Sequence, residues 1–286
     1  MKGQHPVTWL CALLGISRSH YYAAKKRGPS ARARADAELA KKIAASHRRS
    51  RRTYGAPRIV KDLQEEGTPI SKRRCTRLMK TQGIQGRKKH RRKPRTTDSR
   101  GTTAPAPNHL AQRAVPTKAN QTWVTDITCF ATDEGWLYLA AIVDLWSRRV
   151  VGWVCGPTMH VSLVLTALRR ALDQRQPPAG LLHHSDRGSQ YAAHEYTAAL
   201  AAAGLVASMS RAGNCYDNAF IESFWSTCKT DTGLDRTVLP TRQDAELAIF
   251  DYIETFYNPT RRHSSLGYLS PVAFENQPTK KDKSAA

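Results

Sequence analysis

The sequence predicts an α/β protein: a mixed sheet with flanking helices, preceded by a small all-α, helix-turn-helix-like basic region. Three observations carry this. Charge is divided along the chain, with 30 Lys and Arg against 6 Asp and Glu in residues 1–120, 15 against 17 in residues 121–286, and a formal net charge of +22. Residues 121–156 read as three successive runs rich in β-branched and aromatic side chains. From 161 to 230, helical periodicity alternates with short apolar runs of strand length.

The first element is "PVTWLCALLGISRSHYYAA" (6–24), where Val7, Leu10, Leu13 and Leu14 recur at helical spacing. Gly15 breaks it and Ser17 is placed to cap a second helix, giving a helix-turn-helix or a plain helical hairpin. Residues 31–50 form an alanine-rich helix with Leu39 and Ile43 inward. In 54–67, Pro57 sits in the first turn, Ile59 and Leu63 share a face, and Gly67 marks the stop. Residues 69–84 open at Ser71 and set Lys72, Arg73, Arg74, Arg77 and Lys80 against an apolar face of Cys75, Leu78 and Met79. Five cations with no acid among them repel in a solvated helix, so this is the element expected to enter a DNA groove. The segment after it, with Arg87, Lys88, Lys89, Arg91 and Arg92, has no hydrophobic period and is expected to track phosphates without reading bases.

These features divide the chain into a short helical segment (1–28), a basic helical DNA-binding domain (31–95), a flexible linker (96–118), an α/β core (119–232), a C-terminal helix and segment packed on that core (233–279), and a tail (280–286). The cationic front favours a polyanion, because each neutralised phosphate releases condensed counterions. No run of about twenty apolar residues exists to span a membrane, and "VTWLCALLGI" lacks the cleavage pattern of a signal peptide. Six cysteines with no Cys-x-x-Cys pair fit reduced, cytosolic thiols. There is no Gly-rich phosphate loop, so no nucleotide cofactor is expected.

In the back half, strand-like runs at 121–130, 135–147 and 148–156 are followed by a helix (161–174) with Leu165, Leu168 and Leu172 on one face. A strand (180–184), a helix (196–205), a strand (206–210) and a helix (218–230) complete the order β-β-β-α-β-α-β-α, which is that of a ribonuclease-H-like domain. A further helix (242–258) is expected to turn Leu247 and Phe250 inward, with Ile253 and Phe256 as further candidates.

Three carboxylates carry the chemistry. Asp126 lies inside the first strand, where a buried charge needs a partner. Asp186 ends the "LLHHSD" strand, and Glu222 lies in the late helix, 35 residues intervening. Taken alone, "SDRG" reads as an ordinary Asp-Gly turn before it reads as catalytic. Three acids held together repel, and hard divalent cations with oxygen ligands remove that penalty.

The stretches "WVTDIT", "HHSDRGSQY", "SRAGNCYDNAFIESFWSTCKTD" and "YNPTRRHSSLGYLSPVAFE" resemble, in this order, the second-reading-frame product of the insertion-sequence-three transposases, whose catalytic half is shared with retroviral integrases. "YGAPRI" and "SKRRCTRLMK" are similar to that family's basic helical domain. The resemblance implies DNA cleavage and strand transfer, with Asp126, Asp186 and Glu222 as catalytic ligands of two Mg²⁺ or Mn²⁺ ions. It implies double-stranded DNA, both element ends and target, as the partner of a homo-oligomer. Lys229 matches a basic position seven residues beyond the glutamate, about 10.5 Å along the helix, and is expected to meet phosphate.

His183 and His184 are placed as packed core groups or as support for the site. Asn214, Tyr216, Asp217 and Asn218 are placed as shapers of the loop before the late helix, and for Asp217 and Asn218 capping of that helix competes with substrate contact. Asp144 is assigned to a turn, and Trp123 and Trp136 to the core. Arg261, Arg262 and His263 either touch DNA or pack against the late helix. A DNA-binding regulator with merely structural acids, and a hybrid-cutting nuclease that never joins ends, are the two alternatives.

Overall fold

In the computed structural model, which describes residues 5–88, 106–211 and 219–277, the front helices start at the caps their sequences supply. Helices α1 (Val7–Leu13) and α2 (Arg18–Lys26) turn about Gly15 at φ +64°, and the Ser17 hydroxyl accepts from His20 N at 3.1 Å. This hairpin leaves its apolar stripe outside: Leu13 and Leu14 are about two-thirds exposed (67% and 68%), and Cys11 is its buried residue. Helices α3 (Ala31–Arg49), α4 (Ala56–Glu65) and α5 (Lys72–Thr81) bury Ile43, Ile59, Leu63, Cys75, Leu78 and Met79 together. Ser71 caps α5 by accepting from Arg74 N at 3.2 Å.

The sheet has the order β3-β2-β1-β4-β5. Strands β1 (Thr122–Thr132), β2 (Gly135–Asp144) and β3 (Val150–Gly156) form an antiparallel meander; β4 (Leu182–Ser185) pairs parallel to β1, and β5 (Val206–Met209) parallel to β4. Parallel neighbours need crossovers, supplied here by α6 (Val161–Arg175) and by α7 (Ser189–Ala192) with α8 (His194–Ala202). Helix α9 (Ala219–Thr232) follows β5. The buried stripe of α6 is Leu163, Val164, Ala167, Leu168 and Ala171, so Leu165 and Leu172 flank the core instead of centring it. The reason lies at Gly152: a Cβ there would come within 2.5 Å of the Ala167 carbonyl, so the small residues of α6 face β3 at close approach.

Each sheet edge is partly covered, which reduces its unpaired strand groups. On β3, the Asn258 side chain accepts from Val150 N (2.9 Å) and donates to Val150 O (3.0 Å). On β5, Met209 N donates to Pro107 O (3.4 Å), while the Ser208 hydroxyl accepts from His109 N (3.0 Å). Residues 106–118 of the segment assigned to a linker therefore include a stretch docked on the sheet.

After α9 come α10 (Arg242–Phe250), a π-helical turn (Asp251–Tyr257) and the short α11 (Pro271–Glu275). Leu247 and Phe250 are not inward: they are 58% and 50% exposed, while Ala245, Ile249, Tyr252, Ile253, Phe256 and Tyr257 are buried. The larger aromatic set takes the core side, and the widened turn carries that face through to Tyr257. Trp136 is also outside the core, 54% exposed near the β1–β2 turn, whereas Trp123 is fully buried. Ile43, Tyr54, Ile59 and Leu63 of the helical front share one hydrophobic cluster with Phe130, Phe224, Trp225 and Ile249. Arg262 fastens this contact through Asp62 (2.5 Å) and Glu65. Among the described residues, no helix is long and apolar enough to cross a membrane.

Candidate active site

Strand register brings the first two acids together. Trp123 pairs with His183 and Val124 with His184 across parallel β1 and β4. Asp126 and Asp186 each lie two residues further along, so they stand on the same face of neighbouring strands, which run about 4.8 Å apart. Asp186 falls just past the last residue of β4. Its Oδ1 accepts from Gly188 N at 2.8 Å, closing an Asx turn. The "SDRG" carboxylate is thus both a turn former and a member of the sheet-end pair.

Helix α9 supplies the third acid. Trp225 Nε1 donates to Asp126 Oδ2 at 2.9 Å, while Asp126 Oδ1 accepts from Ile127 N at 2.8 Å. Glu222 stands three residues before Trp225, in the first turn of α9 and exposed, so both lie on the same side of the helix. Burial pushes the Asp126 carboxyl up to about 7, and the charges of Asp186 and Glu222 add to this; the hydrogen bonds from Trp225 and Ile127 work against it. Burial also raises Asp186, opposed by the Gly188 N–H.

These acids have no counter-ion: among the described residues, no ion pair involves Asp126, Asp186 or Glu222. Three mutually repelling, oxygen-only donors are the chemistry a hard divalent cation requires. Their spacing is open, since no three His, Cys, Asp or Glu side chains among the described residues are close enough to hold one ion. The donor set fits such an ion in kind; the trio is within electrostatic reach but not closed.

The other predicted residues are distributed as follows. Lys229 is half-buried with Nζ 5.2 Å from the Phe130 ring centroid, and burial lowers its pKa. Its charge is felt by the same acid end, Asp126 being among the groups that raise it. His184 is fully buried, Nδ1 at 2.9 Å from the Ser208 hydroxyl and Nε2 at 3.1 Å from that of Ser210, tying β4 to the end of β5. On α5, Lys72 and Arg73 are exposed, whereas Arg74 and Arg77 close on Asp36 of α3 at 2.7 and 2.6 Å. Arg87 donates to the carbonyls of Thr230 (3.1 Å) and Asp231 (2.6 Å) at the C-terminus of α9, and Lys88 is exposed. Lys89, Arg91, Arg92, Asn214 and Asn218 lie outside the described residues.

Arg261, Arg262 and His263 pack internally. Arg261 pairs with Asp231 of α9 at 2.5 Å, both buried, and His263 stacks edge-on against Tyr257. Asp144 accepts from the backbone N–H groups of Asn120, Trp146 and Ser147, as its turn assignment requires. Sequence reasoning gave no role to Trp225 or to buried Tyr191, whose hydroxyl lies 3.4 Å from Thr125 Oγ1. The spacing of Trp225, one turn past Glu222, was the available signal.

Residues 116–215 and 203–271 match two models of the integrase core domain, and residues 33–93 match an HTH-like domain. With the mixed five-stranded sheet, this defines an integrase-core protein of ribonuclease-H-like fold carrying an HTH-like helical region. The chain is 45% identical over 269 residues to the insertion element IS600 uncharacterized 31 kDa protein of Shigella sonnei, covering 94% of this chain and 98% of that one. It is 37% identical over 278 residues to transposase InsF for insertion sequence IS3A of Escherichia coli (strain K12), covering 96% of each. Among solved structures, the simian T-cell lymphotropic virus intasome in complex with PP2A regulatory subunit B56 gamma aligns with a TM-score of 0.49 at 16% identity, over 77% of this chain and 72% of that one. The chain belongs to the IS3-type family of insertion-sequence transposases.

Proposed function

We propose that this chain cleaves DNA at the ends of its insertion sequence and joins the freed 3′-hydroxyl to target DNA, with Asp126, Asp186 and Glu222 as ligands of Mg²⁺ or Mn²⁺. The observation that carries the reading is the β1–β4 register, which sets two uncompensated carboxylates side by side at the sheet end beneath the helix that bears Glu222. Two such ions, when bound, supply Lewis acidity that activates the attacking oxygen and steadies the departing one.

The chain's own residues position the reactants. Asp126 is held at both oxygens and Asp186 at one, which limits the rotation of each carboxylate before loading. Lys229, set two turns along α9, offers a cation to the phosphate beside the acids. Lys72 and Arg73, with Lys88 and the following basic residues Lys89, Arg91 and Arg92, bind the duplex through its phosphates. Arg74 and Arg77 share their charge with Asp36, a surface pairing that phosphate can replace. Because two ends must be joined, the active species is a homo-oligomer on DNA.

The test is an oligonucleotide joining assay with Asp126→Asn, Asp186→Asn and Glu222→Gln. Each variant is expected to lose joined product while retaining gel retardation of end DNA. Wild-type joining by any one of them removes that residue from the site; cutting of RNA–DNA hybrids without joined product replaces transposition by a simple nuclease.

A further inference from the structure

The residue that ties the acids together is an indole. Trp225 is 6% exposed, and its side chain has a single polar atom, Nε1, which donates to Asp126 Oδ2 at 2.9 Å. A buried N–H aimed at a carboxylate makes a charge-assisted bond, stronger than one to a neutral acceptor. The bond crosses from α9 to β1, joining the helix that carries Glu222 to the strand that carries Asp126. Trp225 and Glu222 share one side of α9, so any slip of this contact moves Glu222 relative to the aspartates. With Oδ1 engaged by Ile127 N, the Asp126 carboxylate is held at both ends, and each oxygen keeps one acceptor site free.

We infer that Trp225 is a positioning residue for the divalent-cation site: its indole N–H orients Asp126 and sets the distance between Asp126 and Glu222. This rests on the assignment of those acids as metal ligands. Hydrogen-bond partners of metal ligands typically change affinity by roughly 10- to 100-fold when removed, and nothing in simple core packing requires the N–H. The phenyl ring of Phe224, centred 4.9 Å from the Trp225 ring, packs there without one.

Mn²⁺ binding to the full chain, followed by electron paramagnetic resonance without DNA, separates the possibilities. Trp225→Phe is expected to bind Mn²⁺ roughly 10- to 100-fold more weakly than wild type, with unchanged circular dichroism and gel retardation, and its joining activity should recover as Mn²⁺ is raised. If Phe at 225 unfolds the chain, 3-benzothienylalanine at 225 keeps the indole shape without the N–H and should show the same loss. Binding within twofold of wild type in the folded variant overturns the role of Trp225 while leaving the acids in place. Failure of the wild type to bind Mn²⁺, or wild-type binding by Asp126→Asn, overturns the metal assignment and this inference with it.

Discussion

In and around the helical front, cations find carboxylates: Arg74 and Arg77 close on Asp36, Arg51 on Asp251 of the C-terminal segment, and Arg262 of that segment on Asp62 and Glu65. At the end of the sheet, among the described residues, Asp126 and Asp186 form no ion pair and accept from the N–H groups of Trp225, Ile127 and Gly188. The formal charge of +22 therefore overstates what the front offers a polyanion, because several arginines hold the protein together. The acids carry the reverse lesson. Burial and mutual repulsion raise Asp126, and a bound cation relieves both. Charge already paired is architecture, and charge left unpaired is where a ligand is expected.

The sharpest way to break this contrast is to neutralise an acid. Asp126→Asn or Asp186→Asn should reduce strand joining by several kcal/mol in the barrier, roughly a thousandfold or more, in a gel assay. The buried pair tests the other side. Asp231→Asn strands Arg261, and leaving a buried charge unpaired costs about 3–5 kcal/mol, which a thermal melt should report as a fall on the order of 10 °C. A fall of only a degree or two would show that this ion pair is not structural.

A third prediction concerns pH. Burial holds the His183 imidazole at about 3, with Nε2 3.2 Å from the Tyr196 hydroxyl. The unfolded chain takes up a proton on this histidine near pH 6.5 and the folded chain does not, so His183 withdraws stability as pH falls from about 6.5 toward 3. His183→Phe should flatten the acid limb of denaturant unfolding by about 1.4 kcal/mol per pH unit in that window; parallel limbs would contradict it. The smallest effect concerns the unpaired cations of α5. Lys72→Ala with Arg73→Ala should reduce the slope of log affinity against log salt by about 1.8, and an unchanged slope would take α5 off the DNA.

Much of this was legible from residue order. Ser17 and Ser71 cap the helices they precede, and Asp126, Asp186 and Glu222 fall on β1, at the end of β4 and on α9. Local signals suffice for such features, because caps, strand ends and helical periods are set within a few residues. What was not legible depends on long-range competition. Leu247 and Phe250 make a plausible inward stripe, but Tyr252, Phe256 and Tyr257 fill the core from the next turns and leave them outside. Arg74, Arg77 and Arg87 look free in sequence because Asp36 and the end of α9 lie 38, 41 and more than 140 residues away. The Trp225–Asp126 bond, 99 residues apart, is invisible for the same reason.

The most direct test is diffraction from crystals of the full chain soaked in Mn²⁺. Anomalous scattering should place an ion at about 2.0–2.3 Å from one oxygen each of Asp126 and Asp186, with Glu222 drawn toward it. Manganese bound only elsewhere on the surface, with the two aspartates unchanged, would contradict the assignment of the sheet end as a cation site.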